Sequence, residues 1–559
     1  MQSALSAVRQ PTATEPIPAR RRDRKVDLLA VAASLVLGLW VTGGLWLDPD
    51  GRAVTVNSGD QALFEWLLSY GAHALVSGEN PLITHLLNVP DGVNLAVNTS
   101  ITVYAVAFAP LTYLIGPPAT FLVVLTLNLV ATALAWYWLL SRHLVGSPWA
   151  ALVGGLFIGF APGMVSHANA HLNWTAGWLV PLLVWRVLRL REPGHWLRNG
   201  LLLGLLVAIA FSIAAEGLFF TALACGVFLL TWATDPARRQ EARAALPTFL
   251  RGLAVAAVVA FALLAYPLWL HFFGPQRFHG TGFSRRIHSE DVLAYGAFPD
   301  RSLAGLVGLD WSLAPNPTEE NSFFGLPLLA LAVACFVALW RHETVNRATV
   351  RALGVTAVVF TVLSWGPNLK VAGAITPVPL PYALLGHLPI FNAALPARLA
   401  LVVAPVVGLL LAFAVDRLGP AQSRRRQPMA RAAFLVALLP LLPMPLLTHQ
   451  REPVPQFITS GAWREYVSPG GVLTPVPLTL DVAPDGQRWQ AYALAHRQGE
   501  FGLPSGFFLG PGGPDSRGRI GPVPRYTDGL LLDVARTGVV PEITDADRAT
   551  ARADLRHWN

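Results

Sequence analysis

Eleven apolar runs, each close to the length that carries a helix across a lipid bilayer, limit what this chain can fold into. The first covers residues 27–47 and follows the basic segment "ARRRDRK". The others lie near 118–140, 149–165, 172–188, 199–216, 217–233, 251–272, 322–340, 350–366, 396–415 and 430–447. A spanning helix needs about 20 predominantly apolar residues, and lipid forces each span to satisfy its own backbone hydrogen bonds. The expected fold class is therefore an α-helical polytopic membrane protein with about eleven transmembrane helices. Only 13% of the 559 residues are charged, and the mean hydropathy is +0.48, whereas soluble domains run near 25% charged.

The net charge of +8 invites a nucleic-acid reading, but the arginines are placed otherwise. Arg142, then Arg186, Arg189, Arg191 and Arg198, then Arg238, Arg239 and Arg243, then Arg341, Arg347 and Arg351, then Arg417 and Arg424–Arg426 fall in every second connection. The positive-inside rule explains this alternation without nucleic acid. It predicts a plasma-membrane protein with a cytoplasmic N-terminus and an external C-terminal tail. No small-residue cleavage site follows the first run, so an uncleaved anchor is expected. Cys225 and Cys335 both fall in apolar runs, and no disulfide framework is expected.

The run "ITVYAVAFAPLTYLIG" (101–116) is short and contains Pro110. A span here would reverse every later loop, so it is expected to be a re-entrant or surface helix. The expected organisation is a disordered cytoplasmic segment 1–25, a transmembrane domain 26–447 and an external domain 448–559. Within the second, 48–117 and 273–321 form long external loops. "GGVLTPVPLTL" and "RWQAYALAH" read as short strands, which predicts a small α+β C-terminal domain.

Several polar groups sit where they are costly or exposed to the membrane surface. In "NSGDQALFEW" Asp60 falls in the first turn of an expected helix, where the helix dipole favours a carboxylate. Leu63, Trp66, Leu67 and Tyr70 share one face; Gln61, Glu65, Ser69 and His73 share another. That pattern predicts a helix lying flat at the interface with its polar face wet. Ser58 and Gln61 have capping-box spacing. "SHANAHLNW" places His167 and His171 four apart with Asn173 beside them. Such a pair can ligate a metal, but sugar-hydroxyl binding is the more natural use of an Asn/His cluster. Glu216 lies between two apolar runs, where an acid marks a functional site or simply an external turn. The loop 273–321 carries Arg285 and Arg286 on the expected outer side, with Glu290. Arg398 opens an apolar span from that side. Outward-facing guanidinium groups near headgroups suit a phosphate.

Together, "DQALFEW…GENPL…PDGVNLAVNT…APLTYLIGP" and "LPYALLGHLPIFNAALPARLA" resemble the GT-C class of polytopic glycosyltransferases, in an actinobacterial branch. The resemblance covers most of residues 26–447. It implies transfer of a sugar from a polyprenyl-phosphate carrier to an envelope glycan, lipid or protein acceptor on the outer face of the plasma membrane. It implies Asp60 as catalytic base, with Arg285, Arg286 and Arg398 on the carrier phosphate. Glu65, His167, His171, Asn173, Glu216 and Glu290 are the candidate substrate-binding residues. Many class members carry an acid in the second external loop, and "SHANAHLNW" has none, so no metal or other cofactor is expected. Two alternatives stay open: a flippase of lipid-linked glycan, and a non-catalytic envelope scaffold of the same fold.

Overall fold

The computed structural model describes residues 23–99, 101–342, 346–418, 427–480 and 482–558. Most of the expected N-terminal segment, and Arg424–Arg426, lie outside the described residues. The protein is mostly helical. Its first ten helices are α1 (Arg24–Trp46), α2 (Ser58–Ser77), α3 (Thr102–Ala107), α4 (Ala109–Ile115), α5 (Pro117–Leu139), α6 (Pro148–Gly159), α7 (Pro162–His167), α8 (Leu179–Arg189), α9 (Trp196–Ala233) and α10 (Arg239–Phe273). Six helices among the described residues are long and apolar enough to cross a membrane: α1, α5 with its continuation, α9, α10, Arg347–Ser364 and Pro396–Arg417.

The difference from eleven expected spans has local causes. Pro162 cannot continue a hydrogen-bonded ladder, so the run 149–165 breaks into α6 and α7. Residues 168–178 form turns, which leaves α8 with 11 residues. The helices Gly325–Arg341 and Gln427–Leu441 are apolar but shorter. The run 101–116 forms the short helices α3 and α4, of 6 and 7 residues, neither long enough to span.

The 38-residue helix α9 holds two of the expected runs. Gly200 meets Gly252 and Val255, and Gly204 meets Ala256 and Val259, so the first arm of α9 runs in the same direction as α10. A Cβ on Gly200 would lie 2.5 Å from the Gly252 carbonyl oxygen. Yet only residues 234–238 join α9 to α10, so α9 must fold back on itself. It does so at Ala214, whose φ of −149° and ψ of 68° are not helical. Glu216 sits at that reversal.

Charge pairs mark the end of the helices opposite the loop 48–101. Arg142 bonds Asp27 at 2.8 Å, and Asp416 accepts from the backbone of Gly146 and Ser147. Arg191 meets Glu241 at 3.3 Å, and Arg351 meets Asp235 at 3.5 Å.

At the loop end, α2 corrects the expectation of a flat surface helix. Gln61, Glu65 and Ser69 are as buried as Trp66 and Tyr70. The apolar face packs on α3, α4 and α5, and the polar face is covered by residues beyond 447. Arg451 donates to both oxygens of Glu65, at 2.9 and 3.0 Å. The Trp66 indole donates to Gln490, on the helix Asp485–Ala495. Strand Arg52–Val54 pairs antiparallel with Thr448–Gln450. One apolar core holds Phe64 and Trp66 together with Trp463, Leu494 and Phe501. Residues 448–508 are thus built into the first loop, and "RWQAYALAH" is helical rather than a strand.

A candidate active site at the loop end of the helices

Asp60 enters the site because of how α2 starts. Its N-cap is Asn57, not Ser58, and the Asn57 amide does not cap the helix. It reaches across instead to the Asn169 carbonyl at 3.1 Å. Gln61 is likewise diverted: its side chain accepts from the Val54 amide at 2.9 Å and donates to Glu65. These contacts hold the start of α2 against the turn that follows α7. Ala170 has a φ of 71°, a left-handed conformation rare for a residue with a Cβ, and it turns the chain after His167.

The two histidines then link Asp60 to the interior. His171 Nε2 lies 3.5 Å from Asp60 Oδ2. His171 Nδ1 lies 2.8 Å from His167 Nδ1, and His167 Nε2 lies 3.9 Å from Glu319 Oε2. Arg398 donates to Glu319 Oε1 from Nε at 2.8 Å and from Nη2 at 2.6 Å. Its Nη1 reaches Glu216 Oε2 at 3.1 Å. The other Glu216 oxygen accepts from the Leu395 amide at 2.9 Å. Six side chains from five parts of the sequence therefore form one continuous chain of polar contacts.

Burial grades the chain from wet to dry. The Asp60 side chain is 21% exposed and that of His171 12%, while His167 is fully buried. Burial holds the His167 imidazole well below its ordinary pKa, against the pull of Glu319. Burial alone would raise the Glu319 carboxyl; the Arg398 guanidinium overcomes it and holds Glu319 ionised. Trp174 forms the floor, stacked on His167 and lying under Arg398 at 5.2 Å. Below it an apolar cavity of about 260 Å³ runs between α5, α8, α9 and Pro396–Arg417, with Asn173 at its rim.

Ser166 clamps the loop that carries Glu319. Its hydroxyl donates to the Pro317 carbonyl at 2.9 Å and accepts from the Glu320 amide at 3.0 Å. Glu290 is buried beside this loop and accepts from the Ser322 hydroxyl at 2.8 Å. Burial pushes its carboxyl well above the ordinary range.

The structure brings Asp60, His167, His171, Glu216 and Arg398 together, with Asn173 and Glu290 at the margin. It does not bring Glu65, whose carboxylate is committed to Arg451. Arg285 and Arg286 line a separate open groove, and Arg398 is not among its lining residues. Glu319 was missed from sequence, although "PTEENSFF", an acid pair directly before an apolar run, carries the same signal as Glu216.

His167, His171 and Glu319 bring three ligand atoms within 4.8 Å of one another, a donor set that suits a divalent ion such as zinc. His167 Nε2 has no hydrogen-bond partner among the described residues. Arg398, however, already neutralises Glu319.

Fold and site together define a multi-pass membrane protein with a buried ion chain opening at one end. The chain belongs to the family described as "Domain of unknown function (DUF6311)", whose model matches residues 29–442. No curated protein matches it significantly. Among solved structures it is similar to the arabinofuranosyltransferase AftD from Mycobacteria, in its R1389S mutant. The identity is 16% and the TM-score 0.49, over 86% of this chain and 33% of that one. It is also similar to the oligosaccharyltransferase of Archaeoglobus fulgidus in the apo form, with 13% identity and a TM-score of 0.48 over 86% of this chain and 64% of that one. The same archaeal enzyme in complex with Zn and sulfate gives 15% identity and a TM-score of 0.45, over 86% and 59%. The chain thus spans between a third and two thirds of the length of these structures.

Proposed function

We propose that this protein is a membrane glycosyltransferase. It transfers a sugar from a polyprenyl-phosphate carrier to a hydroxyl acceptor of the envelope, at the outer face of the plasma membrane. The observation that carries the reading is the placement of Asp60. Its carboxylate is partly exposed at the head of a helix, with His171 Nε2 3.5 Å behind it and the buried chain beyond.

In this reading the acceptor hydroxyl gives its proton to Asp60 as its oxygen attacks the anomeric carbon. The carbon–oxygen bond to phosphate breaks on the opposite face, so configuration inverts and the carrier phosphate leaves. His171 positions the carboxylate rather than receiving the proton. Arg398 holds Glu319 and Glu216 in register beneath it. The apolar cavity under Trp174 supports a lipid-borne substrate, since its walls offer almost nothing to a sugar. The loop 48–117 and residues 448–559 both stand outside in this orientation.

The test is sugar transfer by the purified protein in nanodiscs, with a radiolabelled polyprenyl-phosphate sugar and extracted envelope acceptors. Removing a general base usually lowers the rate by about 10²–10⁴. Asp60→Asn keeps the size of the side chain and is expected to fold and to lose turnover on that scale. Transfer by Asp60→Asn at the wild-type rate would overturn the assignment.

A further inference from the structure

The last part of the chain supplies one wall of a second site. The strands Leu509–Gly512 and Arg517–Ile520 form a hairpin that docks on the loop after α10. The His279 amide donates to the Ser516 carbonyl at 3.2 Å, and the Gly518 amide donates to the His279 carbonyl at 3.0 Å. Gly282 permits the approach: a Cβ there would lie 3.2 Å from the Arg519 Cα. The result is an open groove of about 770 Å³ between this hairpin, residues 281–286 and the segment 379–387.

Its lining carries Arg285, Arg286, Arg517 and His387, and no acid among the described residues. Several buried or half-buried arginines elsewhere are ion-paired: Arg142 with Asp27, Arg398 with Glu319, Arg451 with Glu65. In the groove, the Arg285 guanidinium donates to the Gly386 carbonyl and meets no carboxylate among the described residues. Arg286 and Arg517 are exposed, with no ion-pair partner among the described residues. Like charges gathered without a counter-charge repel one another and attract an anion. Planar guanidinium forks from two walls suit the tetrahedral oxygens of a phosphate.

The groove is also connected to the candidate active site. Tyr382 lines it, and the Tyr382 hydroxyl donates to the carbonyls of Phe391 and Ala394, at 2.8 and 3.1 Å. The next residue, Leu395, donates its amide to Glu216. The Tyr382 side chain and the backbone of residues 391–395 thus link the groove to the inner end of the ion chain.

We infer that Arg517, in the C-terminal hairpin, completes with Arg285 and Arg286 a site for a phosphate group. The choice of a lipid-borne phosphate as the first probe rests on the transferase reading above; the anion site itself rests on the groove. The C-terminal segment is then part of the substrate-binding surface and not only a cover for α2.

The experiment uses the full chain in nanodiscs of zwitterionic phospholipid. Binding of farnesyl phosphate is measured by calorimetry, alone and in competition with inorganic phosphate. Arg517→Ala and Arg286→Ala are each expected to weaken farnesyl phosphate binding roughly ten- to a hundred-fold, the effect of losing one charge-assisted contact. Arg517→Lys, which keeps the charge, should retain most of it. Arg519→Ala is the control, because that side chain packs on Gly512 outside the groove. Binding of farnesyl phosphate that inorganic phosphate cannot displace identifies a lipid headgroup site. Displacement at equal affinity identifies a free-phosphate site. Either supports the assignment. Wild-type affinity for both probes in Arg517→Ala and Arg286→Ala overturns it. Normal farnesyl phosphate binding by the wild-type protein together with no sugar transfer would count against the transferase reading alone.

Discussion

Arg398 grips one oxygen of Glu319 with two nitrogens, at 2.8 and 2.6 Å, and reaches Glu216 with the third at 3.1 Å. Arg398 is the cation both carboxyls share, because the neighbouring imidazole of His167 is held neutral by burial. Removing one member of a buried ion pair typically costs 3–5 kcal/mol, because the other is left uncompensated. Arg398→Ala is therefore expected to lose stability by about that amount, seen as a lower thermal midpoint in detergent. Arg398→Met combined with Glu319→Gln and Glu216→Gln should recover most of the loss. An unchanged midpoint for Arg398→Ala would show that the triad does not hold the fold.

Metal dependence follows from the same pairing. Glu319 could join His167 and His171 around a divalent ion, but its charge is already met by Arg398. Dialysis against EDTA is expected to leave sugar transfer within about two-fold of the untreated protein. Loss of transfer on chelation, restored by one divalent metal, would place an ion at the histidines.

Glu320 gives the stability a pH dependence. Burial pushes its carboxyl up to about 8, with Asp300 and Asp310 adding to the rise and the Asp300 amide opposing it. An unfolded Glu titrates near about 4.3. The folded state thus holds the proton more tightly, and stability should fall as pH rises between those values, by at most about 1.4 kcal/mol per unit from this group. Glu290, raised in the same direction, adds to the slope. Thermal midpoints recorded from pH 5 to 8 should decline in the wild type and decline less in Glu320→Gln. Identical slopes in the two proteins would contradict this.

Sidedness is checked by labelling. Ser147→Cys, whose amide meets Asp416, is expected to react only from the cytoplasmic face. Ser516→Cys, exposed on the C-terminal hairpin, is expected to react from outside. Labelling of both from one side would overturn the orientation and with it the placement of Asp60.

The sequence showed the apolar runs, the broken stretch at 101–116 and most of the ion chain, because acids, histidines and arginines beside apolar runs are conspicuous. Spacing could not reveal which of them meet. Arg285, Arg286 and Arg398 looked alike as outward-facing cations, yet two line an open groove and the third is enclosed by carboxylates. Helix α2 misled for another reason. Its polar face has the pattern of a wet surface, and residues far along the chain, Arg451 on Glu65 and Glu500 on His73, turn that face into an interior. Periodicity records which residues share a face, not what later covers it.

That cover has a consequence for how the molecule is made. Arg451 lies 386 residues after Glu65, and Gln490 lies 424 residues after Trp66. During synthesis the helix that carries Asp60 must therefore wait, Glu65 without its guanidinium and Trp66 without its acceptor, until those later residues are made. The cover over this helix can close only after the segment beyond 447 has docked. A chain interrupted before residue 451 holds every side chain that runs from Asp60 to Glu216 and still leaves α2 uncovered, so docking of the later segment acts as an assembly step.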